Sequence, residues 1–141
     1  MSEARSEPKR ITPRPTAVSE PYWAGCAEGE LRLQQCDACG CHQFYPRLLC
    51  GSCGATALSW RTVSGAGRVA TWSVVRRGVS KAYEAPYVVA LIDLDEGPRM
   101  MSQIVGSDVE DPRLAVGARV KVEFLPWADD VTVPVFRLED C

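Results

Sequence analysis

Four cysteines in two matched pairs carry the clearest chemistry in this sequence. One C-x-x-C pair is Cys36 and Cys39, the other is Cys50 and Cys53, and ten residues separate the pairs. A C-x-x-C turn can point two sulfur atoms at one ion, and zinc takes four thiolates in a tetrahedron. Because four thiolates leave no open coordination position, the pattern predicts a structural zinc site rather than a catalytic one.

Other uses of the cysteines fit less well. Two disulfides would suit an exported protein, yet residues 1–20 lack the apolar segment of a signal peptide. A single C-x-x-C can be a redox dithiol, but its duplication favours a closed metal site. Seven cysteines without an export signal indicate a reducing cytoplasm, where thiols bind metal instead of pairing. Cys26, Cys41 and Cys141 are left as surplus thiols without an assigned role.

The remaining side chains offer little for catalysis. His42 is the only histidine, and an extended segment would point it and the adjacent Cys41 to opposite sides. Asp93, Asp95 and Glu96 cluster at the end of an expected strand, where a solvated hairpin tip is the simpler interpretation. We therefore expect a protein that is not itself an enzyme.

Composition and charge narrow the class of protein. Of the 141 residues, 46% are hydrophobic and 24% charged, as in a globular protein of one or two small domains. A formal net charge of −2 disfavours non-specific binding to nucleic acid or acidic membranes, which needs a positive field. No apolar run approaches the roughly 20 residues of a membrane span, so we expect a cytoplasmic protein without membrane contact.

The N-terminal part of the chain is expected to be built around the metal. Residues 1–18 are rich in proline and charge and predict a flexible tail. Ser19 can cap a short helix over residues 19–28, since Glu20 and Pro21 suit its first turn. Strands are expected over residues 31–35, 44–46 and 58–63, which completes a helix and zinc ribbon over residues 19–63. Metal binding would supply the stability that so small an apolar core lacks.

A change of pattern after the turn at residues 64–67 predicts a second unit over residues 64–141. Five strands are expected there, over residues 68–77, 87–95, 99–105, 119–124 and 133–138. The second is nearly all apolar, which predicts a strand that is central or buried on both faces, whereas Val120, Val122 and Phe124 of the fourth alternate with polar residues. Asp108 could cap a short helical turn over residues 109–116. The whole pattern predicts a mainly β protein, in which a five-stranded OB-fold barrel follows the short helix and the four-cysteine zinc ribbon.

The order of these parts resembles one protein family. The aromatic helix at residues 21–23, the ribbon, the SGAG turn at residues 64–67 and the segment PYVVALIDLDEG at residues 86–97 occur in sequence. Over about residues 21–138 the chain resembles the bacterial and archaeal family of acyl-CoA-associated proteins that join a rubredoxin-like zinc ribbon to an OB-fold. The family was formerly classed as a domain of unknown function.

The resemblance implies an accessory role. Members of the family are small, non-catalytic partner subunits of thiolase-like or lipid-transfer-type enzymes, among them thiolases, aldolases and acyltransferases. By this resemblance the chain would be an obligate subunit of a hetero-oligomer that processes acyl-CoA thioesters, in lipid or steroid degradation. It would support assembly of the complex, and it would carry a structural zinc.

Three basic residues are candidates for direct contact with acyl-CoA. Coenzyme A carries phosphate charges, which arginine and lysine recognise. Arg76, Arg77 and Lys81 lie at the end of the first barrel strand and in the loop after it, where OB-folds often bind ligands. Plain solubilising charge is the alternative.

Aromatic residues are the candidates for a partner interface, because a chain with so few helices has little room to bury them. These candidates are Tyr22, Trp23, Trp72, Tyr83 and Trp127. For Tyr22 and Trp23, packing on the chain's own ribbon is the alternative. The second functional hypothesis is a single-stranded nucleic-acid-binding protein, since OB-folds and zinc ribbons present aromatic platforms to bases, but the acidic net charge disfavours it.

Overall fold

The computed structural model describes residues 10–128 and 130–139, which form one short helix and eight strands. In chain order the elements are α1 (Glu20–Ala27), β1 (Arg32–Cys36), β2 (His42–Gln43), β3 (Leu58–Thr62), β4 (Ala66–Val75), β5 (Tyr87–Leu94), β6 (Arg99–Val105), β7 (Arg119–Ala128) and β8 (Val131–Leu138). The predicted mainly β class is confirmed. Across the described residues, no helix has the length and apolar character needed to cross a bilayer.

Residues 10–15 lie against the folded part of the chain. Residues 1–9 of the predicted flexible tail are outside the described residues. Ile11, in contrast, is hydrogen-bonded to the side chains of Tyr83 and Trp127. Residues 11–15 also lie beside Asp130 and Val131, at the turn between β7 and β8. The described part of the tail is therefore in contact with the barrel.

The helix α1 lies where the sequence predicts it. Pro21 occupies its first turn, and Gly29, just beyond its end, has φ 76°. The predicted cap by Ser19 is wrong, because its Oγ accepts a hydrogen bond from the N–H of Thr16 (2.9 Å) and caps no helical N–H. The helix contacts β1 and β8, so it docks between the two sheets of the protein.

The zinc ribbon is a three-stranded antiparallel sheet in the order β2-β1-β3. The predicted strand over residues 44–46 is wrong, because β2 pairs through Gln43 opposite Gln34 and ends there. The next residue, Phe44, packs its ring against Tyr22, with the centroids 5.6 Å apart. Two residues later Pro46 has no N–H to donate to a ladder. The chain therefore leaves the sheet three residues earlier than expected.

Strands β4 to β8 close into a barrel in the order β4-β5-β6-β8-β7, with β7 pairing back to β4. All neighbouring strands are antiparallel except β6 and β8, which run parallel. This closed five-stranded order confirms the predicted OB-fold. On β7 the predicted alternation is also confirmed, because Val120 is buried while Val122 and Phe124 pack against the core.

Two details of the barrel differ from expectation. The strand β5 is central, between β4 and β6, but it is not buried on both faces: Val88, Ala90, Ile92 and Leu94 are buried, and the residues between them are half-exposed. A small barrel covers the inner face of a strand and leaves the outer face to solvent. The connection before β7 forms turns instead of a helical turn, with an Asp108 carboxylate oxygen accepting the N–H of Glu110 (2.9 Å).

One hydrophobic cluster runs through the ribbon and the barrel. It includes Leu31, directly before β1, and Leu33 on β1, together with Val69, Ile92 and Phe136 inside the barrel, each at most 1% exposed. The two sheets are therefore packed on a shared core.

Candidate functional site

The four predicted zinc ligands come together. The sulfur atoms of Cys36, Cys39, Cys50 and Cys53 all lie within 4.8 Å of one another. The sulfurs of Cys36 and Cys53, and those of Cys39 and Cys50, are 3.6 Å apart. Zinc–sulfur bonds of about 2.3 Å in a tetrahedron place the sulfurs roughly 3.8 Å apart. The donor set therefore fits one tetrahedral zinc ion, with no coordination position left for a substrate.

Two equivalent turns build the site. The N–H of Gly40 donates to the carbonyl of Cys36, and the N–H of Gly54 donates to the carbonyl of Cys50, both at 2.9 Å. Both glycines have positive φ, 78° at Gly40 and 75° at Gly54, a region that residues with a side chain rarely adopt. The glycine that follows each C-x-x-C pair is thus required by the turn itself.

Backbone N–H groups favour the thiolate form of the two buried ligands. The N–H of Cys39 points at the sulfur of Cys36 (3.4 Å), and the N–H of Ser52 at the sulfur of Cys50 (3.3 Å). The N–H of Cys39 lowers the pKa of Cys36, and the N–H groups of Cys53 and Ser52 lower the pKa of Cys50 to about 6. Without the ion, two of the four thiols are thus shifted towards the thiolate form that zinc binds, whereas burial and hydrogen bonds among the thiols raise the pKa of Cys39 and Cys53.

The surplus thiols lie in different environments. Cys26 on α1 is 1% exposed, and burial raises the pKa of its thiol to about 11, so it stays protonated within the core at neutral pH. Cys41 is exposed, directly after the first cysteine turn. Cys141 lies outside the described residues.

Two glutamines hold the segment that leads to the second cysteine pair. Gln34, 5% exposed, accepts hydrogen bonds from the N–H of Arg47 (2.8 Å) and from Nε2 of Gln43 (2.7 Å), and donates to the carbonyl of Arg47 (2.8 Å). Gln43 accepts the N–H of Gly51 (3.0 Å) and donates to the carbonyl of Leu49 (3.3 Å). This network fixes residues 44–51 relative to β1. It was not predicted, because a short polar strand does not reveal which of its side chains is buried.

The same segment exposes three apolar side chains, which we call the ribbon patch. Its members are Tyr45, Leu48 and Leu49, which are 62%, 78% and 48% exposed. Apolar residues grouped on one anchored surface segment are typical of a protein contact. The sequence feature that could have predicted this patch is the pair of leucines directly before Cys50, in a stretch without the alternation of a strand.

The helix aromatics predicted for an interface lie largely inside the chain. Tyr22 is 6% exposed, and its ring meets Trp23 edge-on at 5.0 Å and Phe44 at 5.6 Å. Burial also raises the pKa of Tyr22 well above its ordinary range. The prediction that Tyr22 contacts a partner is therefore wrong: its ring is part of the chain's own core. Trp23 is half-buried against that core, while Trp72 on β4 is 36% exposed.

Tyr83 and Trp127, the other two predicted interface aromatics, lie together at a cavity. Their ring centroids are 6.0 Å apart, and both rings line a cavity of about 570 Å³. Its walls come from β5, β6, β7 and the loop before β5, and they include Tyr87, Val89 and Leu125. A cavity of this size and mixed aromatic lining suits a small organic molecule.

The three basic residues predicted to contact acyl-CoA do not gather in this cavity. Arg76, Arg77 and Lys81 are exposed, and none of them is among the described residues that line it. Arg76 lies 3.9 Å from a carboxylate oxygen of Glu110, with both side chains mostly in solvent. Their contact with acyl-CoA stays a prediction.

The acidic residues at the β5–β6 hairpin form ion pairs within the barrel. Asp93 lies 2.6 Å from Arg99, and Asp95 lies 2.9 Å from Arg119. Hydrogen bonds from these arginines lower the pKa of each carboxyl group. A carboxyl group with a lowered pKa is ionised near neutral pH, so it cannot donate a proton, and its arginine partner weakens it as a base.

Comparison with known proteins agrees with this geometry. A family model described as the ChsH2 rubredoxin-like zinc ribbon domain matches residues 23–59. A second one, described as the ChsH2 C-terminal OB-fold domain, matches residues 60–125. The two matches adjoin within β3, the last strand of the ribbon.

Individual proteins extend the match. A DUF35 domain-containing scaffold protein of Methanocaldococcus jannaschii is 39% identical over 99 residues, which cover 68% of this chain and 68% of the relative. A probable enoyl-CoA hydratase alpha subunit of Thermomonospora curvata is 32% identical over 139 residues, 96% of this chain but 42% of the relative's length. A chain of the solved Ltp2-ChsH2(DUF35) aldolase is 28% identical with a TM-score of 0.81, covering 90% of this chain and 98% of that chain. This chain therefore belongs to the DUF35 family, in which a rubredoxin-like zinc ribbon with a structural zinc site is joined to an OB-fold.

Proposed function

We propose that this protein is a non-catalytic accessory subunit of a hetero-oligomeric enzyme that acts on acyl-CoA thioesters. The observation that carries the proposal is the match to the Ltp2-ChsH2(DUF35) aldolase, which covers 98% of the matched chain. Two further relatives are described as an alpha subunit and as a scaffold protein, which supports the same role.

The partner is proposed to be a thiolase-like or lipid-transfer-type enzyme, such as a thiolase, aldolase or acyltransferase. The relative described as a hydratase alpha subunit supports a second candidate, an acyl-CoA hydratase assembly. In either case the partner would supply the reacting groups, and this chain would complete the assembly. Acyl-CoA turnover with each type of partner distinguishes the two.

The ribbon patch is the proposed contact with the partner. Zinc and the two glutamines hold Tyr45, Leu48 and Leu49 in place before any partner arrives, so little side-chain and loop ordering is needed on binding. Trp72, also exposed, and the half-buried Trp23 are further candidates for the same interface.

Co-expression with the enzymes encoded beside this protein tests the proposal. We expect a complex that survives purification and turns over an acyl-CoA thioester faster than the enzyme alone. Leu48→Asp should weaken the complex at least tenfold, since it places a charge in the apolar patch. The matched control is Val116→Asp, because Val116 is 72% exposed on the connection before β7. Full activity of the enzyme without this chain, and no co-purification, would overturn the proposal.

Direct contact with acyl-CoA is a separate part of the proposal. The double variant Arg76→Ala/Arg77→Ala should raise the KM of the assembled complex for acyl-CoA several-fold, because phosphate contacts are lost. If the KM does not change, the two arginines contribute only to the solubility of the protein.

A further inference from the structure

The backbone of Ile11 is bound by a pair of aromatic side chains. Its N–H donates to the hydroxyl of Tyr83 (2.8 Å), and Nε1–H of Trp127 donates to its carbonyl (2.9 Å). Both backbone groups of one residue are thus satisfied by side chains more than 70 positions away in the sequence. The Ile11 side chain itself is 77% exposed, so the contact selects the backbone and not the isoleucine.

Arg10 makes the side-chain contact. Its guanidinium lies over the Trp127 ring, 4.5 Å from the ring centroid, and its Nε donates to the carbonyl of Ala82 (3.4 Å). Planar guanidinium groups stack on indole rings in a way that lysine reproduces poorly. The contact therefore prefers an arginine followed by any residue with a free N–H and carbonyl.

The bound segment forms part of the cavity wall. Arg10, Tyr83 and Trp127 all line the 570 Å³ cavity, together with apolar side chains that include Val89, Met101 and Leu125. The space is present with the segment in place, and of residues 10–15 only Arg10 is among the described residues that line it, so the Arg10 side chain borders the cavity without filling it. A molecule in the cavity would be in reach of both Arg10 and side chains of the barrel strands.

We propose that this cavity is a binding site for a small apolar molecule and that residues 10 and 11 are a strap that holds the Arg10 side chain along one side of it. Tyr83 and Trp127 hold the strap through their hydrogen bonds to the backbone of Ile11. Three hydrogen bonds and one stacked ring fix residues 10 and 11, and all are near the surface, so the strap can open and close at little cost. Opening of the strap removes Arg10 from the wall and should speed ligand release. This role is separate from partner contact through the ribbon patch.

The first test measures the strap directly. In the full chain, amide hydrogen exchange of Ile11 should be slow compared with that of Thr12, since the Ile11 N–H is held by the Tyr83 hydroxyl. Tyr83→Phe removes the acceptor and keeps the ring, and it should speed exchange at Ile11 about fivefold, the effect of one neutral hydrogen bond. Exchange at Ile11 that is fast in the parent protein, or unaffected by Tyr83→Phe, overturns the strap.

The second test measures the cavity with 8-anilinonaphthalene-1-sulfonate as the probe. We expect one molecule bound per chain, and loss of binding in Val89→Glu, which puts a charge in the cavity wall. Val116→Glu is the control for adding an exposed acid. Unchanged binding by Val89→Glu would show that the probe binds elsewhere and would overturn the cavity site.

The dissociation rate of the probe tests whether the strap controls release from the cavity. By stopped-flow fluorescence, Arg10→Ala and Tyr83→Phe should each raise the dissociation rate about fivefold, while Arg14→Ala, in the same segment but not lining the cavity, should leave it unchanged. An effect of Arg10→Ala without one of Tyr83→Phe would mean simple attraction of the sulfonate by the arginine, and it would overturn the strap as a lid.

Discussion

Replacing Gln34 with leucine should destabilise the protein, because it removes three hydrogen bonds from a buried side chain of similar size. The substitution leaves the N–H and carbonyl of Arg47 and one donor of Gln43 without their partner. An unsatisfied buried polar group costs about 1–3 kcal/mol. Because the Arg47 side chain is exposed, water can reach part of this segment and offset part of the loss. The expected decrease in the free energy of unfolding is about 2–3 kcal/mol.

Thermal and urea unfolding of the zinc-loaded protein measure this effect. For a chain of this size, a loss of 2–3 kcal/mol corresponds to a Tm lower by about 6–12 °C. The matched control is Gln35→Leu, since the neighbouring glutamine makes one exposed hydrogen bond, to the carbonyl of Gly40 (3.1 Å). That control should cost less than about 1 kcal/mol. Equal effects of the two substitutions would refute the conclusion that Gln34 holds residues 44–51.

Three further predictions concern the metal, the thiols and the charged pairs. Removing zinc with a strong chelator should release one ion per chain and unfold the ribbon, as followed by a chromogenic zinc assay and circular dichroism; a chain that keeps its ribbon signals without the metal would contradict this. In the zinc-loaded protein, iodoacetamide should label Cys41 and spare Cys26, which mass spectrometry can check, because one thiol is exposed and the other buried. Asp93 and Glu123 have pKa values below their ordinary 3.8 and 4.5, because each accepts hydrogen bonds from an arginine. A depressed carboxyl pKa adds stability above the ordinary value, and this stability is lost as the pH falls through the lowered one. Unfolding measured between pH 7 and pH 3 should therefore show a decrease below about pH 4.5, and a flat profile would argue against these pairs.

The zinc site and the barrel order could be predicted because both depend on local patterns. The spacing of the cysteines and the glycine after each pair specify the turns residue by residue. Five β segments with one long connection leave few closed topologies, and the OB-fold is one of them. In each case the prediction rests on residues that are close together in the sequence.

The errors arose where distant contacts decide the outcome. Tyr22 could face a partner or the core, and only its contact with Phe44, which is 22 positions away, settles the choice. The early end of β2 has the same cause, since Phe44 leaves the sheet to make that contact. The binding of Ile11 by Tyr83 and Trp127 joins residues far apart in sequence, and no pattern in the residues around Ile11 predicts it.

The junction between the ribbon and the barrel shows how a glycine-rich turn can be rigid. Gly65 has φ 74°, and a Cβ atom there would overlap the side chain of Val122, so glycine permits close packing at this point. The N–H of Ser64 donates to Glu96 (3.0 Å), and Lys121 donates to the carbonyl of Ser64 (2.6 Å). With the shared hydrophobic cluster, these contacts tie the junction to the barrel. A partner that docks on the ribbon patch would therefore meet the barrel at a fixed position, which is what an accessory subunit needs in order to complete a site on its partner.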